Sequence, residues 1–331
     1  MLCAFSKNFI AREDYMTGMT VGFIGLGNLG LRLVLNLIDA GIKTYIFDAD
    51  DTKKEFFQNN LEIWLGSPKE IAEKADIVVT CLPSPEAVAS VLESKNGLLE
   101  GIDHNKLWIE MSTTDSQELL RLAKLVEKKG SMVLEAPVSG GCHRASTGNI
   151  SILVGGERAA FEKALPILKI IGFEIVHVGE LGKASILKVV TNFLASTHLV
   201  AIGEALMVCK KAGIDLGKAY NAIKVSSGNS FVHETESQVI LSGSYNVNFT
   251  MDLVCKDVGL FQKLVTTYRL KTELSKKIVE IFEKGKSKYG SRGWSTQVVK
   301  LLEDENSESL RAEGFPEELV DKEPKNIGRE L

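Results

Sequence analysis

One stretch of the sequence, GKASILKVVTN at residues 182–192, combines residue types that could act on a small substrate. If this stretch is helical, Lys188 and Asn192 are four residues apart and project from one face, so an ammonium and an amide could hold one substrate between them. The small residues Gly182, Ala184 and Ser185 would let a flat cofactor ring or another backbone approach the start of the helix. The alternative is a solvated surface lysine, which is the common case on helices. The assignment of chemistry to Lys188 therefore depends on whether the rest of the chain brings a cofactor to it.

The segment TVGFIGLGNLG, which begins at Thr20, predicts a dinucleotide-binding turn. A short apolar strand leads into three glycines at GxGxxG spacing, and a helical pattern follows from Leu31 to Ala40. Glycines at this spacing permit a tight turn, close approach of the backbone to a pyrophosphate, and close packing of helix on strand, while the helix N-terminus offers N–H groups to the phosphate. The predicted cofactor contacts of this turn are Gly25, Leu26, Gly27, Asn28, Leu29 and Gly30.

Asp48 follows the second predicted strand, Lys43 to Phe47, at the place where a ribose-binding acid is expected. A carboxylate there can accept hydrogen bonds from the ribose hydroxyls and would repel a ribose 2′-phosphate. No arginine immediately follows it, although Lys53 and Lys54 could weaken the preference. The sequence therefore predicts NAD as the cofactor, with NADP less favoured.

Strand-like and helical stretches alternate through the first half of the chain. Strands are predicted at 77–82, 107–111, 132–135, 150–154 and 175–178, with helices from Pro85, over 115–129 and over 157–170. This alternation predicts a Rossmann-type α/β domain with a mostly parallel sheet and helices on both faces. Ligands bind such sheets at the carboxyl ends of the strands, which would place Leu82, Pro83, Ser112 and Thr113 beside the cofactor. Taken singly, each could instead be an ordinary strand-end turn residue.

The segment EAPVSGG begins at Glu135, again at a predicted strand end. Ser139, Gly140 and Gly141 could form a concave anion site, because successive small residues expose backbone N–H groups and the hydroxyl adds a donor. A substrate carboxylate would fit such a site. The alternative is a glycine-rich turn between strands.

After Gly182 the apolar periodicity is helical, with helices predicted over 183–212, 215–224, 231–241 and 252–282. The first half is thus expected to continue into an all-α C-terminal domain through a long interdomain helix that carries Lys188 into the cleft between the domains. Lys256 and Asp257 could return to the site or form a solvated pair. The predicted domains are an N-terminal extension (1–18), a dinucleotide-binding domain (19–181), a helical domain (182–302) and an acidic, loosely ordered tail (303–331) with few large apolar residues.

Composition narrows the possible ligands and locations. Lys and Arg number 39 against 43 Asp and Glu, so the totals imply no polycationic face for nucleic acid and favour a small ligand. No uninterrupted apolar run is long enough to span a bilayer, so no membrane association is expected. The five cysteines and five histidines lack metal-ligand spacing, which predicts no metal site. The first eighteen residues lack the apolar core of a secretory signal, which predicts a cytoplasmic location, with a weak organelle presequence as the alternative because this segment has few acids.

Four ordered motifs together resemble those of the β-hydroxyacid dehydrogenase family over residues 19–302. They are GFIGLGNLG, APVSGG, GKASILKVVTN and KDVGLF. The resemblance implies hydride transfer between NAD(P) and a small 3-hydroxy acid, and assembly as a homodimer or homotetramer through the helical domain. It makes Lys188 the catalytic residue, Ser139 and Gly140 binders of the substrate carboxylate and Asn192 a positioner of substrate. It adds cofactor contacts at Leu82, Pro83, Thr113 and Lys256, with Thr113 also near the substrate.

The chain departs from the family pattern at three places. Glu135 stands where Asp is usual, Ala184 replaces a glycine of the catalytic motif and Thr191 replaces the first of an Asn pair. Because Lys188 and Asn192 are retained, these departures put substrate identity in question rather than activity. Phe231, Val232 and His233 are expected to line the side-chain end of the pocket, although a surface loop would look the same.

Lys188 is expected to hydrogen-bond the substrate hydroxyl and exchange its proton. Acting as a base near neutrality would require a pKa well below the roughly 10.4 of a free lysine. The alternatives are a 6-phosphogluconate dehydrogenase-like enzyme, for which no clear phosphate-binding arginine set is present, and an imine reductase, which usually has another residue at the lysine position. A third is a non-catalytic NAD-binding sensor or interaction module.

Overall fold

The structure of the chain, a computed structural model, describes residues 18–58 and 63–331. These residues form two compact units. Unit 1 comprises the described residues up to Gly140, together with Ala145–Ser185 and Glu323–Leu331; unit 2 comprises Gly141–Arg144 and Ile186–Lys322. The predicted N-terminal extension lies, except for Gly18, outside the described residues. The division near the middle of the chain falls at Ser185/Ile186 instead of the expected 181/182.

Unit 1 is built on a mostly parallel sheet, which confirms the predicted Rossmann-type α/β fold. The strands found in the described residues are β1 Thr20–Ile24, β2 Lys43–Phe47, β3 Ile77–Thr80, β4 Leu107–Glu110, β5 Met132–Glu135, β6 Val138–Ser139, β7 Ser151–Gly155, β8 Glu174–Gly179 and β9 Arg329–Glu330. Their order is β2-β1-β3-β4-β5-β7-β8-β9, and β6 pairs with β7. The pairs β5–β7 and β6–β7 are antiparallel and the other pairs are parallel.

The sheet has an apolar core on each face because side chains alternate along every strand. In β4, Leu107 and Ile109 pack into one core with Phe23 of β1, whereas Trp108 packs into the other. β1, β3 and β4 are buried along their whole length. Such continuous burial is typical of parallel strands covered by helices on both sides. Their carboxyl ends are therefore the part of the sheet left available to a ligand.

Helices cover both faces of the sheet of unit 1. They are α1 Gly30–Asp39, α2 Pro68–Lys74, α3 Pro85–Glu93, α4 Leu98–Gly101, α5 Ser116–Glu127, α6 Gly141–Thr147 and α7 Arg158–Ile171, with a 3₁₀ helix at Asp51–Phe57. The starts of α2, α3 and α5 follow ordinary capping rules: Ser67, Ser84 and Asp115 each accept a hydrogen bond from a backbone N–H of the first turn. The first four residues of α6, which the sequence did not predict as a helix, belong to unit 2.

Unit 2 is helical, as predicted. Its helices are α8 Lys183–Lys211, which starts in unit 1, then α9 Leu216–Lys224, α10 Phe231–Ser242, α11 Met251–Thr267, α12 Leu274–Tyr289 and α13 Gln297–Asn306. α8 is long and apolar enough to cross a membrane, since its most apolar stretch has a mean hydropathy of 1.5. Core helices of soluble proteins meet the same length and hydropathy criterion. Leu199, Ile202 and Leu206 of α8 lie in the apolar core of unit 2.

The single helix expected over residues 252–282 is in fact two helices, α11 and α12. α11 ends at Thr267, and Arg269 has a left-handed backbone with φ of 55°. The break could not be predicted because no glycine or proline marks it, although a left-handed residue at a helix end is usually glycine or asparagine.

The C-terminal tail differs from the loosely ordered segment expected from its composition. Leu310 is fully buried in the core of unit 2, and Phe315 packs against that core. The carboxylate of Glu303 is buried and accepts hydrogen bonds from the N–H of Leu310 at 2.7 Å and from Arg311 at 2.8 Å. At its far end the tail forms β9, which extends the sheet of unit 1 at the β8 edge. A few well-placed contacts thus order a segment that is poor in apolar residues.

Candidate active site

The glycine turn between β1 and α1 has the shape of a phosphate cradle. A Cβ on Gly25 would lie 2.3 Å from the carbonyl oxygen of Cys81, and one on Gly30 would lie 2.0 Å from the carbonyl oxygen of Gly25. A Cβ on Gly27, in contrast, would meet no atom of the described residues within 4 Å. Gly25 and Gly30 are thus required for the packing of the turn itself. Gly27 leaves open the space into which a phosphate would come.

The N-terminus of α1 adds a favourable helix dipole to this cradle. The residue preceding the helix is Leu29, and it makes no side-chain capping bond within the described part of the chain. The N–H groups of Leu31 and Arg32 donate to the carbonyl oxygens of Gly27 and Leu29, so the helix dipole is the main attraction that this terminus offers to an anion. The turn that the sequence predicted as a dinucleotide site therefore fits a pyrophosphate group.

Asp48 braces the glycine turn. Its Oδ2 accepts a hydrogen bond from the backbone N–H of Leu26 at 2.5 Å, and its Oδ1 accepts one from Asp50 at 2.8 Å. A carboxylate has about four lone-pair sites, so these two bonds leave acceptor capacity for hydroxyl groups. Both lysines downstream are paired with acids, Lys53 with Asp50 at 3.8 Å and Lys54 with Asp51 at 2.8 Å.

A series of hydrogen-bonded polar groups holds the loops that follow β3 and β4. The N–H of Leu82 donates to Ser112 Oγ at 2.7 Å, and the N–H of Ser112 donates to Glu110 Oε1 at 2.6 Å. Glu110 is fully buried, and its Oε2 accepts a hydrogen bond from Thr80 Oγ1 at 2.5 Å. This hydrogen-bonded series fixes the segments Leu82–Pro83 and Ser112–Thr113 at neighbouring strand ends. Sequence reasoning missed Glu110, whose only signal was one acid ending an apolar strand.

The predicted carboxylate-binding segment begins as a strand and continues through two glycines. Ser139 lies in β6 and pairs with Ser151 of β7. Gly140 and Gly141 both have positive φ, 130° and 83°, a conformation that other residues rarely adopt. A Cβ on Gly141 would also lie 3.1 Å from the ring of His143. The need for glycine at both positions is therefore conformational.

Lys188 belongs to a buried group of polar side chains in unit 2. Its Nζ donates to Asn192 Oδ1 at 2.6 Å, and Asn192 Nδ2 donates to Asp257 Oδ2 at 2.6 Å. Lys256 Nζ lies 2.8 Å from the other carboxylate oxygen of Asp257. Lys188 is 7% exposed and Asp257 is 2% exposed. The predicted pair on α8 is thus joined by an acid from α11.

Burial sets the electrostatics of this group. It lowers the pKa of Lys188 to about 8, an effect that the negative charge of Asp257 opposes and the positive charge of Lys256 reinforces. A lysine in this range can both give and accept a proton near neutrality. The sequence left open whether Lys256 and Asp257 return to the site or form a solvated pair. Asp257 is in fact the buried partner of Asn192, 65 residues away in the chain.

Thr191, which stands where the family has asparagine, turns its hydroxyl to its own helix, where Oγ1 donates to the carbonyl of Lys188 at 2.9 Å. The substitution therefore leaves the bond between Lys188 and Asn192 in place.

The aromatic part of the predicted pocket is partly different from the expectation. Phe231 is 46% exposed, and the ring of His143 stacks on it with the centroids 6.3 Å apart. Val232 and His233 are buried instead, and His233 Nε2 lies 2.9 Å from the carbonyl oxygen of Tyr220. Of the three residues proposed to line the pocket, only Phe231 is accessible. Helical periodicity explains this result, because consecutive residues of α10 point in different directions.

Within residues 18–58 and 63–331, no group of three or more His, Cys, Asp or Glu side chains is arranged to hold an ion.

Comparison with known proteins identifies the family. Residues 20–179 match the NAD binding domain of 6-phosphogluconate dehydrogenase, and residues 182–302 match the family described as NAD-binding of NADP-dependent 3-hydroxyisobutyrate dehydrogenase. The chain is 31% identical to 2-(hydroxymethyl)glutarate dehydrogenase of Eubacterium barkeri over 86% of this chain and 94% of that protein. It is 32% identical to mitochondrial 3-hydroxyisobutyrate dehydrogenase of Mus musculus over 86% of this chain and 88% of that protein.

Solved structures agree with the sequence comparison. The structure of Mycobacterium tuberculosis 3-hydroxyisobutyrate dehydrogenase with L-serine superposes with a TM-score of 0.75 at 26% identity, over 86% of this chain and 99% of that one. The family expected from the four motifs is thereby confirmed. This chain belongs to the β-hydroxyacid dehydrogenase family of NAD(P)-dependent oxidoreductases.

Proposed function

We propose that the chain is an NAD-dependent dehydrogenase that interconverts a small 3-hydroxy acid and its semialdehyde or oxo acid, with Lys188 as acid and base. The observation that carries this proposal is the buried hydrogen-bonded series Lys188–Asn192–Asp257. A lysine is costly to bury, and its pKa of about 8 suits proton transfer near neutral pH. A sensor or interaction module that only binds NAD would have no use for such a group.

The preference for NAD is supported by the charges around Asp48. Its carboxylate braces the glycine turn and would repel a 2′-phosphate, while Lys53 and Lys54 are each paired with an acid. Gly25–Gly30 would hold the pyrophosphate, and Leu82, Pro83, Thr113 and Lys256 are the further proposed cofactor contacts. When bound, the nicotinamide supplies the acceptor or donor of the hydride.

Lys188 would manage the proton that accompanies hydride transfer. In the oxidising direction its neutral amine accepts the proton of the substrate hydroxyl, and in the reducing direction its ammonium returns a proton to the carbonyl oxygen. Asn192 would hold the substrate in line, because its amide is fixed on both sides by Lys188 and Asp257. Ser139, Gly140 and Gly141 would bind the substrate carboxylate, with Thr113 nearby.

A substrate panel with Lys188→Met tests the proposal. NADH formation from NAD would be followed with 3-hydroxyisobutyrate, 2-(hydroxymethyl)glutarate, glycerate, L-serine, 4-hydroxybutyrate and 6-phosphogluconate. We expect turnover of a 3-hydroxy acid that falls by about 10²–10⁴ in the variant, the usual contribution of acid–base catalysis. NADP in place of NAD should give a lower kcat/KM.

Lys183→Met is the matched control, because Lys183 lies on the same helix and is exposed. It should retain the rate of the unmodified enzyme. A rate that is indifferent to Lys188, or activity on 6-phosphogluconate alone, would refute the assignment. Tight NAD binding without turnover on any compound would favour the sensor alternative.

Two further expectations stay predictions. One is assembly as a homodimer or homotetramer, and the other is a cytoplasmic location. Sedimentation of the purified protein would measure the first, and imaging of a tagged chain would test the second.

A further inference from the structure

Glu135 is a fully buried acid at the end of β5 that has no role in the proposed proton transfer. Its Oε1 accepts a hydrogen bond from the backbone N–H of Ala184 at 2.9 Å, and its Oε2 accepts one from the N–H of Ser185 at 2.9 Å. The hydroxyl of Ser185 donates to the same oxygen. These donors belong to the first turn of α8, where N–H groups have no partner within the helix. The carboxylate of Glu135 is therefore the cap of the helix that carries Lys188.

Gly155 provides the space for this carboxylate. It pairs with Glu135 across the β5–β7 junction, and a Cβ built on it would lie 2.2 Å from Glu135 Oε1. Its other close contacts would be the Cδ and Cγ atoms of Glu135, both at 3.0 Å. Its φ is not in the left-handed region. Position 155 thus requires glycine for a steric reason, because the side chain of Glu135 occupies the place of a Cβ atom.

Capping a helix with a buried carboxylate costs more desolvation free energy than capping it with a serine or an exposed aspartate. Burial raises the pKa of the Glu135 carboxyl, while the hydrogen bonds from Ser185 and Ala184 act in the opposite direction. Other helices of this protein are capped by serine or by exposed aspartate, for example Asp215 at the start of α9. A buried charge held by several short bonds is desolvated, but it has one geometry.

We propose that Glu135 is a positioning residue of the dehydrogenase reaction, which fixes the first turn of α8 and thereby the place of Lys188. This inference rests on the proposed function of Lys188. Lys188 is three residues beyond Ser185, less than one helical turn, so a tilt of the first turn is passed directly to its side chain. Glu135 also begins the segment that leads to Ser139 and Gly140. One carboxylate thus links the start of the catalytic helix to the start of the carboxylate-binding segment.

Gly155→Ala is the sharpest test, because the three atoms nearest to its methyl group would all belong to the side chain of Glu135, which it would displace. We expect kcat to fall by about 10–100-fold, since a displacement of about 1 Å at a reacting group has effects of this size. The KM for NAD should stay within about twofold, because the glycine turn of β1–α1 is a different segment. Each rate is divided by the concentration of folded enzyme, which is measured by titrating the NADH-binding sites.

Glu135→Asp combined with Gly155→Ala provides the rescue. The shorter side chain relieves the clash, so the double variant should have at least about tenfold higher kcat than Gly155→Ala alone. Glu135→Gln, which has the same size but offers one acceptor oxygen, should lower kcat without raising the KM for NAD. Asp215→Asn is the matched control for a helix cap elsewhere, and it should leave kcat unchanged.

The outcomes separate this inference from the proposed function. If Gly155→Ala and Glu135→Gln keep full kcat while Lys188→Met is inactive, the positioning role is refuted and the function of Lys188 stands. Equal kcat values for Gly155→Ala and the double variant would also refute it. If Lys188→Met is fully active, the proposed function of Lys188 is refuted, and the positioning role of Glu135 is refuted with it. A loss of melting temperature without a loss of kcat would mean that Glu135 only stabilises the fold.

Discussion

Asp257→Asn gives a quantitative test of the electrostatics around Lys188. In the structure the Asp257 carboxylate accepts a hydrogen bond from Asn192 and raises the pKa of Lys188 against the larger effect of burial. An asparagine at 257 can present its amide oxygen to Asn192 and so keep that bond. The change therefore removes a charge while leaving the hydrogen-bonded series intact.

The size of the effect follows from the geometry. Two hydrogen bonds of 2.6 Å and one amide group separate Lys188 Nζ from Asp257. They span at most about 7.5 Å, at which a unit charge contributes about 2 kcal/mol for an effective dielectric constant of about 20. Lys256, which pairs with Asp257 at 2.8 Å, already cancels part of this field. We expect the pKa of Lys188 to fall from about 8 by a further unit or so.

The assay is the pH dependence of kcat in both directions. Oxidation needs neutral Lys188, so its rate should rise with pH through about 8, whereas reduction needs the ammonium and should fall over the same range. In Asp257→Asn both midpoints should move down by about one pH unit. Asp252→Asn, on the same helix but more exposed, should leave them in place. Midpoints that stay or move upward in Asp257→Asn would refute the electrostatic reasoning.

Three further predictions follow from the cofactor turn and the tail. Asp48→Ala should raise the KM for NAD by about tenfold and reduce discrimination against NADP, as measured by steady-state kinetics; an unchanged ratio would contradict the role of the charge. Gly27→Ala should fold normally but bind NADH weakly, whereas Gly30→Ala should lower the melting temperature; similar behaviour of the two variants would refute the steric assignment. Leu310→Ala should cost about 2–5 kcal/mol of unfolding free energy in urea, and an unchanged midpoint would show that the tail does not pack.

Local constraints explain which parts of the site could be predicted from sequence. The glycine turn depends in part on a contact within a few residues, that between Gly25 and Gly30, so its spacing contains much of the information, although Gly25 also packs against Cys81 at the end of β3. The contact between Lys188 and Asn192 follows from the repeat of one helix. Seven of the nine strands in the described residues were predicted nearly to their ends because buried parallel strands read as short apolar runs, whereas the two-residue strands β6 and β9 were not predicted.

The remaining parts of the site depend on tertiary contacts. Asp257 meets Asn192 from another helix, and Glu135 meets Ala184 from the end of a strand. Each reads in the sequence as an ordinary acid, because nothing nearby marks it as buried. The order of the tail could not be predicted for a related reason. Composition measures how many apolar residues are present, whereas the fully buried Leu310 shows that the position of one such residue can determine whether a segment packs.

The discontinuity of unit 1 has a consequence for how the protein is made. β9 is provided by Glu323–Leu331, and the 137 residues of Ile186–Lys322 belong to the other unit. The ribosome must therefore synthesise all of unit 2 before the last strand of unit 1 exists. During that interval β8 is an open sheet edge, which is the kind of surface that pairs with other chains. We expect nascent chains that stop before residue 323 to need protection from aggregation, and the end of that need to depend on the synthesis of residues 323–331.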